Sequence, residues 1–134
     1  MPEIAAFVKH GSAFITPNIL AKVLRELPLW KAQFSQINAP DHPHLVDQLM
    51  FLADVAEDFA EGAAKDLPFV TVAEAVFSLT YVHRGVGIIP DFVPNFGRAD
   101  DSGIVRSVLI MNEKALAAYA ASRGINWSRI ADRP

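Results

Sequence analysis

Cysteine is missing from this chain of 134 residues, which excludes disulfide bonds, thiolate metal ligands and cysteine nucleophiles. The chain also has no excess of basic residues. It contains 12 lysines and arginines and 15 aspartates and glutamates, which gives a formal net charge of −3. Nucleic-acid-binding domains are usually basic, so the composition predicts no nucleic-acid partner. The lack of cysteine is typical of cytosolic proteins, and we expect a cytoplasmic location.

The chain also has no long uninterrupted apolar run. Its most apolar region, residues 67–82, contains Glu74 and falls short of an uncharged membrane span. Near the start of the chain Glu3 precedes a short apolar stretch and Lys9 follows it, which is the wrong order for a secretory signal. We therefore expect one soluble domain over residues 1–134, a length at which a chain builds a single core.

Apolar residues recur at helical spacing along most of the chain, and no segment alternates cleanly with the period of a strand. Thr16 and Pro17 predict the start of a first helix, with the threonine as cap and the proline in the first turn. Pro28 predicts its end, and a short second helix follows over residues 30–37. A third and longest helix is predicted to begin at Asp41 and to carry an apolar stripe on one side. The residues before Thr16 show no pattern from which a helix or a strand can be predicted.

The second half of the chain predicts two more helices. Thr71 and Glu74 have the spacing of a capping box, so a fourth helix is predicted to begin at Thr71 and to end between His83 and Gly87. A fifth helix, over residues 104–122, is expected to bend or split at Asn112. The sequence therefore predicts an all-α fold, a single compact bundle of about five helices.

Residues 87–101, between the last two long helices, form the most unusual segment. Pro90 and Pro94 lack an amide proton and disfavour helical geometry in the residue before each, so neither a helix nor a central strand can pass through. The segment is also rich in large apolar side chains, including Phe92, which predicts that it folds back and buries them. We expect an irregular, partly buried loop in which Pro90, Phe92, Pro94 and Gly97 have structural roles.

Four polar residues in and beside this loop are candidates for a binding site: His83, Asp91, Asp100 and Asp101. Asp91 is placed to accept hydrogen bonds from loop amides, while Asp100 and Asp101 precede a helical pattern, where carboxylates cap amides and suit the helix dipole. The alternative hypothesis is that the three carboxylates converge on a divalent cation, with His83 as a further ligand or a general base. The position of two aspartates at a predicted helix start favours the capping role, which requires no cofactor.

The same loop resembles the YkvA-like bacterial family, a domain family of unknown function. The resemblance extends over residues 77–109 and rests on one spaced motif: Ile89, Pro90, Asp91, Phe92, Val93, Pro94, Gly97, Asp100 and Asp101. The family usually has a Ser-Pro pair and a further Asp upstream, where this chain has Arg84, Gly85 and Gly87, so an inherited acidic site would lack one carboxylate. The resemblance implies a small helical bacterial module, sometimes predicted to contact membranes, with no established reaction.

No complete catalytic constellation is present in the sequence, and no serine lies in a Gly-x-Ser-x-Gly elbow. We therefore interpret the chain as a non-catalytic helical interaction or structural module, with a protein partner or a second copy of itself. Two alternatives stay open. One is a metal-binding protein or metal-dependent hydrolase that uses the aspartates of the loop, and the other is a peripheral membrane protein whose loop residues, Phe92 among them, project outward.

Overall fold

The computed structural model describes residues 2–86 and 98–131, and all regular secondary structure in these two stretches is helical. The predicted all-α class is therefore confirmed. The described residues contain seven helices where the sequence predicts about five: α1 (Pro2–Ser12), α2 (Pro17–Phe34), α3 (Leu45–Ala60), α4 (Phe69–Val86), α5 (Ala99–Met111), α6 (Glu113–Ser122) and α7 (Trp127–Ala131). They pack around one apolar core, in which α3 and α4 are the most extensively packed pair.

α1 is a helix that the apolar pattern does not assign. It packs on α4 and α5, and its Val8 is fully buried. The contact with α4 is close because Gly11 has no side chain: a Cβ atom there would lie 2.1 Å from the ring of Phe77. Glycine in a helix interior costs about 1 kcal/mol relative to alanine, so α1 depends on its packing more than on its intrinsic helix propensity.

α2 continues through Pro28 to Phe34, so the predicted helix end at this proline and the separate helix over residues 30–37 are wrong. The predicted start is confirmed, because Thr16 Oγ1 accepts a hydrogen bond of 3.2 Å from the backbone amide three residues further on. A proline inside a helix costs about 3 kcal/mol. Burial of Trp30 and Phe34, at about 1.5–3 kcal/mol for each large apolar side chain, offsets this cost because the continuous helix brings both rings into the core.

α3 begins at Leu45 and not at Asp41 as predicted. The residues between them form tight turns, in which the amide of His42 donates to the carbonyl oxygen of Ala39 and the amide of Leu45 donates to that of His42. The backbone groups of this stretch are therefore used in turns, which delays the start of the helix.

α4 begins at Phe69, ahead of Thr71, so the predicted capping box is wrong. Thr71 and Glu74 are buried within the helix, and their side chains contact residues of other elements. The expected break at Asn112 is confirmed, because α5 ends directly before this residue and α6 begins directly after it. The threonine and the glutamate therefore join helices instead of starting one.

α1 covers one side of α4 and α5. Two aromatic side chains, those of Phe7 within this helix and of Phe14 two residues after its end, stay largely outside the core. This placement of α1 creates a concave surface between α1, α2 and α4. None of the described helices combines the length and the apolar character that crossing a membrane requires.

Candidate functional site

Much of the predicted site falls in residues 87–97. Five of the predicted site residues lie outside the described part of the chain: Pro90, Asp91, Phe92, Pro94 and Gly97. The structural role of the loop and the bonding of Asp91 to loop amides therefore stay predictions.

Asp100 and Asp101 lie in the first turn of α5, where the sequence places them. The residue at the cap position is Arg98, whose side chain makes no capping hydrogen bond. Its buried guanidinium instead donates from Nη1 to Asp101 Oδ2 at 2.7 Å. Burial raises the pKa of Asp101, and the guanidinium opposes this effect only in part. The two carboxylates thus suit the helix dipole, while the one described hydrogen bond of Asp101 is an ion pair and not a cap.

His83 packs against α2. Its ring stacks on Trp30 with centroids 4.1 Å apart and planes at 13°, and its Nε2 lies 2.7 Å from Gln33 Oε1. Burial lowers the pKa of His83, and the charge of Glu26 opposes this effect. The structure therefore does not bring His83 together with the aspartates of α5. Within the described residues, no group of three or more histidines, aspartates and glutamates is arranged to hold a metal ion.

A concave apolar surface, which we call the α1 groove, lies between α1, α2 and α4 and encloses about 440 Å³. Three of its large side chains remain exposed: Phe7 at 49%, Phe14 at 65% and Ile19 at 36%. Most of the lining is aromatic or aliphatic, and it consists of Phe7, Gly11, Phe14, Ile15, Ile19, Val23, Phe77, Thr80, Tyr81 and Arg84. Apolar side chains gathered at one exposed surface are typical of a binding site, whereas scattered ones are not.

Neighbouring rings hold Phe7 in position within the α1 groove. Its ring meets those of Phe77 and Tyr81 edge to face, at centroid distances of 5.6 Å and 5.8 Å. Such aromatic pairs contribute about 0.5–1.5 kcal/mol beyond the area that they bury. The exposed face of the groove therefore has a defined shape before any ligand binds.

One end of the α1 groove is acidic. Phe7 and Tyr81 also line a second cavity of about 280 Å³, whose remaining lining residues are Glu3, Ile4, Asp100 and Ile104. Burial raises the pKa of Tyr81, and the negative charges of Asp100 and Asp101 raise it further. We call Glu3 and Asp100, with the cavity between them, the acidic end.

A buried polar cluster holds α1, one wall of the groove, on α4. Glu74 is fully buried, and its Oε2 lies 2.8 Å from Lys9 Nζ in an ionic contact that lacks hydrogen-bond geometry. Its Oε1 accepts a hydrogen bond of 2.7 Å from Asn112 Nδ2, and Thr71 Oγ1 donates to Asn112 Oδ1 at 2.9 Å. Sequence reasoning misses this cluster because it assigns Thr71 and Glu74 to a helix cap. A charged residue inside the most apolar stretch of the chain is the signal that points to it.

A second polar contact joins α3 to α6. Tyr119 Oη donates a hydrogen bond of 2.5 Å to Asp58 Oδ2, and the same carboxylate forms an ion pair with Arg123. Burial and the bond to Asp58 both raise the pKa of Tyr119, so the phenol stays protonated and remains a donor. The hydrogen-bonding groups of these side chains are paired with one another, which is typical of a structural link between helices.

A polar cleft of about 580 Å³ lies where the start of α3 faces residues 124–130. Its charged side chains, Asp47 and Arg129, are both exposed and have opposite signs. The cleft therefore offers no net attraction for an ion of either sign, and it is a weaker candidate than the α1 groove.

No protein-family model, curated protein or solved structure matches this chain. The resemblance to the YkvA-like family therefore stays a prediction from the loop motif. The candidate site accordingly rests on the geometry of the described residues, in which the α1 groove gathers three exposed large apolar side chains around one concavity.

Proposed function

We propose that the protein is a non-catalytic helical interaction module that binds a protein partner in the α1 groove. The observation that supports this proposal is the exposure of Phe7, Phe14 and Ile19 around one concave surface. Large apolar side chains cost free energy when they stay in water, at about 25 cal/mol per Å² of apolar surface. A partner that covers them recovers this free energy on binding.

The groove is also preorganised. The Phe7 ring is held by two edge-to-face contacts, and the contact between Lys9 and the buried Glu74 is one of those that place α1 on α4. Binding surfaces that are already ordered lose less conformational entropy on association. A segment of a partner can therefore bind here with a small ordering cost on the side of this protein.

The polar groups of the groove support a role in binding more than one in catalysis. Thr80 Oγ1 donates to the carbonyl oxygen of Val76 within its own helix, at 2.9 Å. The other polar side chains that line the groove are the phenol of Tyr81 and the guanidinium of Arg84. Activation of a hydroxyl nucleophile requires a general base within hydrogen-bond reach, and none of these side chains supplies one.

Selection from a random peptide library against the immobilised protein, followed by fluorescence anisotropy with the enriched peptides, tests the proposal. Phe14→Ser should weaken the binding of an enriched peptide by about tenfold, a loss typical of an interface aromatic residue. Leu29→Ser is the matched control, because Leu29 is 60% exposed on α2 but does not line the groove. Failure to enrich any peptide, or equal losses in the two variants, would overturn the proposal.

A further inference from the structure

We infer that the segment bound in the α1 groove presents large apolar side chains followed, at one end only, by a lysine or an arginine. This inference rests on the proposed docking function and specifies the chemistry of the partner. The charges around the groove are the observations that carry it.

The acidic end carries two carboxylates for which no cationic partner is found among residues 2–86 and 98–131. Glu3 and Asp100 are both exposed and line the same cavity, and neither forms an ion pair with another described residue. The third nearby acid, Asp101, is paired with Arg98. A basic side chain that reaches this cavity therefore meets two free negative charges.

Apolar and acidic surfaces adjoin at this end. Phe7 and Tyr81 line both the apolar cavity and the acidic one, so the two cavities share a wall. Burial raises the pKa of the Tyr81 hydroxyl most, and the negative charge of Asp100 raises it further, so this carboxylate acts on the wall that the two cavities share. A single partner segment can therefore cover the phenylalanines and place a cation beside them without a gap.

Arg84 is a further charged side chain in the lining of the groove. Arg84 lines the larger apolar cavity, where a second cation would be repelled. Complementary charges align partners and suppress wrong orientations, while like charges facing each other cost affinity. The basic residue of the partner is therefore expected beside Glu3 and Asp100, which are the carboxylates that line the adjoining cavity.

The same charges argue against the other possible occupants. Anionic lipid surfaces attract basic segments, whereas this groove ends in carboxylates and the chain carries a net charge of −3. A second copy of the chain also has a net negative charge, which the acidic end would repel. A partner segment with a local positive charge is not repelled there.

The test repeats the peptide selection on three proteins: the wild type, the double variant Glu3→Lys with Asp100→Lys, and the control double variant Asp47→Lys with Glu113→Lys. The control replaces two exposed acids outside the groove and has the same net charge. Wild type and control should enrich peptides with lysine or arginine beside apolar residues, and the charge-reversed groove should enrich aspartate or glutamate there. Thermal melting of each variant establishes that it is folded.

A second measurement uses the milder variant Glu3→Gln with Asp100→Asn, which removes charge and keeps side-chain size. It should weaken the best wild-type peptide by about three- to tenfold, since exposed ion pairs contribute up to about 1 kcal/mol each. Peptides that bind the groove without a basic preference would overturn this inference and leave the docking function standing. A lack of any enriched peptide would overturn both. Sedimentation with anionic vesicles, or a dimer that Phe14→Ser abolishes, would also overturn the inference.

Discussion

Lys9 and Glu74 meet across the contact between α1 and α4, with Nζ 2.8 Å from Oε2. The two side chains differ sharply in environment, since the glutamate is fully buried and the lysine is 58% exposed. Burial of a carboxylate is costly unless it is paired, so the cation and the amide of Asn112 together make the buried charge tolerable. The position of α1, and with it the shape of the groove, depends on this pair.

The pair should behave as a coupled unit in a double-mutant cycle. Lys9→Met leaves the buried carboxylate without its cation and should destabilise the protein more than Glu74→Gln, which keeps an acceptor for Asn112 and removes the charge. The double variant should recover part of the loss, with a coupling free energy of about 0.5–3 kcal/mol from urea denaturation. Strictly additive losses would show that the ion pair does not hold α1 in place.

Pro28 provides a test of the continuous helix α2. Pro28→Ala restores an amide donor inside the helix and should stabilise the protein by about 2 kcal/mol, which is the helix-interior cost of proline less the entropy that the unfolded chain regains. Pro17→Ala is the control, because proline in the first turn costs nothing there and should give no gain. Thermal unfolding measures both, and a loss of stability in Pro28→Ala would contradict a continuous α2.

His83 should make stability depend on pH. Burial lowers its pKa in the folded protein below the ordinary value of 6.5, so the unfolded chain binds the proton more readily. The stabilising contribution is therefore complete above that value and is lost as the pH falls through it towards the folded pKa. Proton NMR titration of the His83 ring should give a pKa below 6.5 in the folded protein.

The matched variant for this prediction is His83→Phe, which keeps a ring to stack on Trp30 but cannot bind a proton. The fall in the free energy of unfolding from a pH of about 7.5 to about 5.5 should be smaller in this variant than in the wild type. A wild-type pKa at or above the ordinary value, or identical pH dependence in the two proteins, would contradict the burial of a neutral imidazole.

The fold class follows from the sequence because helical periodicity is a local property that most of the chain displays. Element boundaries follow less well, since tertiary packing decides them. Pro28 is a strong local stop signal, yet burial of Trp30 and Phe34 outweighs it. α1 is not predicted from the sequence, because it contains Gly11, and glycine disfavours a helix. The close packing that Gly11 permits is against an aromatic ring distant in sequence, which the local pattern does not show.

The candidate site is harder to predict for the same reason. The sequence identifies Asp100 as a first-turn residue of α5, but its place at one end of a groove depends on how α1 packs. Phe7 lies in α1 and Phe14 in the turn after it, so only the packed structure shows that they border one concave surface. The metal-site and membrane-surface alternatives remain predictions, because they depend on residues such as Asp91 and Phe92.

The loop prediction itself can be tested without knowledge of its conformation. Phe92→Ala should lower the free energy of unfolding by about 3–5 kcal/mol if the ring is fully buried against the helices before and after the loop. Chemical denaturation measures this loss. A loss well below that range would show that Phe92 is an exposed contact residue. It would favour the hypothesis that the loop contacts a partner or a membrane.

The most direct test of docking in the α1 groove is an NMR titration of the labelled protein with a peptide enriched by selection. We predict that the largest chemical-shift changes occur at residues of the α1 groove, such as Phe7, Gly11 and Tyr81. Ile110, an exposed apolar residue of α5 outside the groove, should remain unchanged. Changes centred on Ile110, or spread evenly over the surface, would contradict the claim that the α1 groove is the docking site.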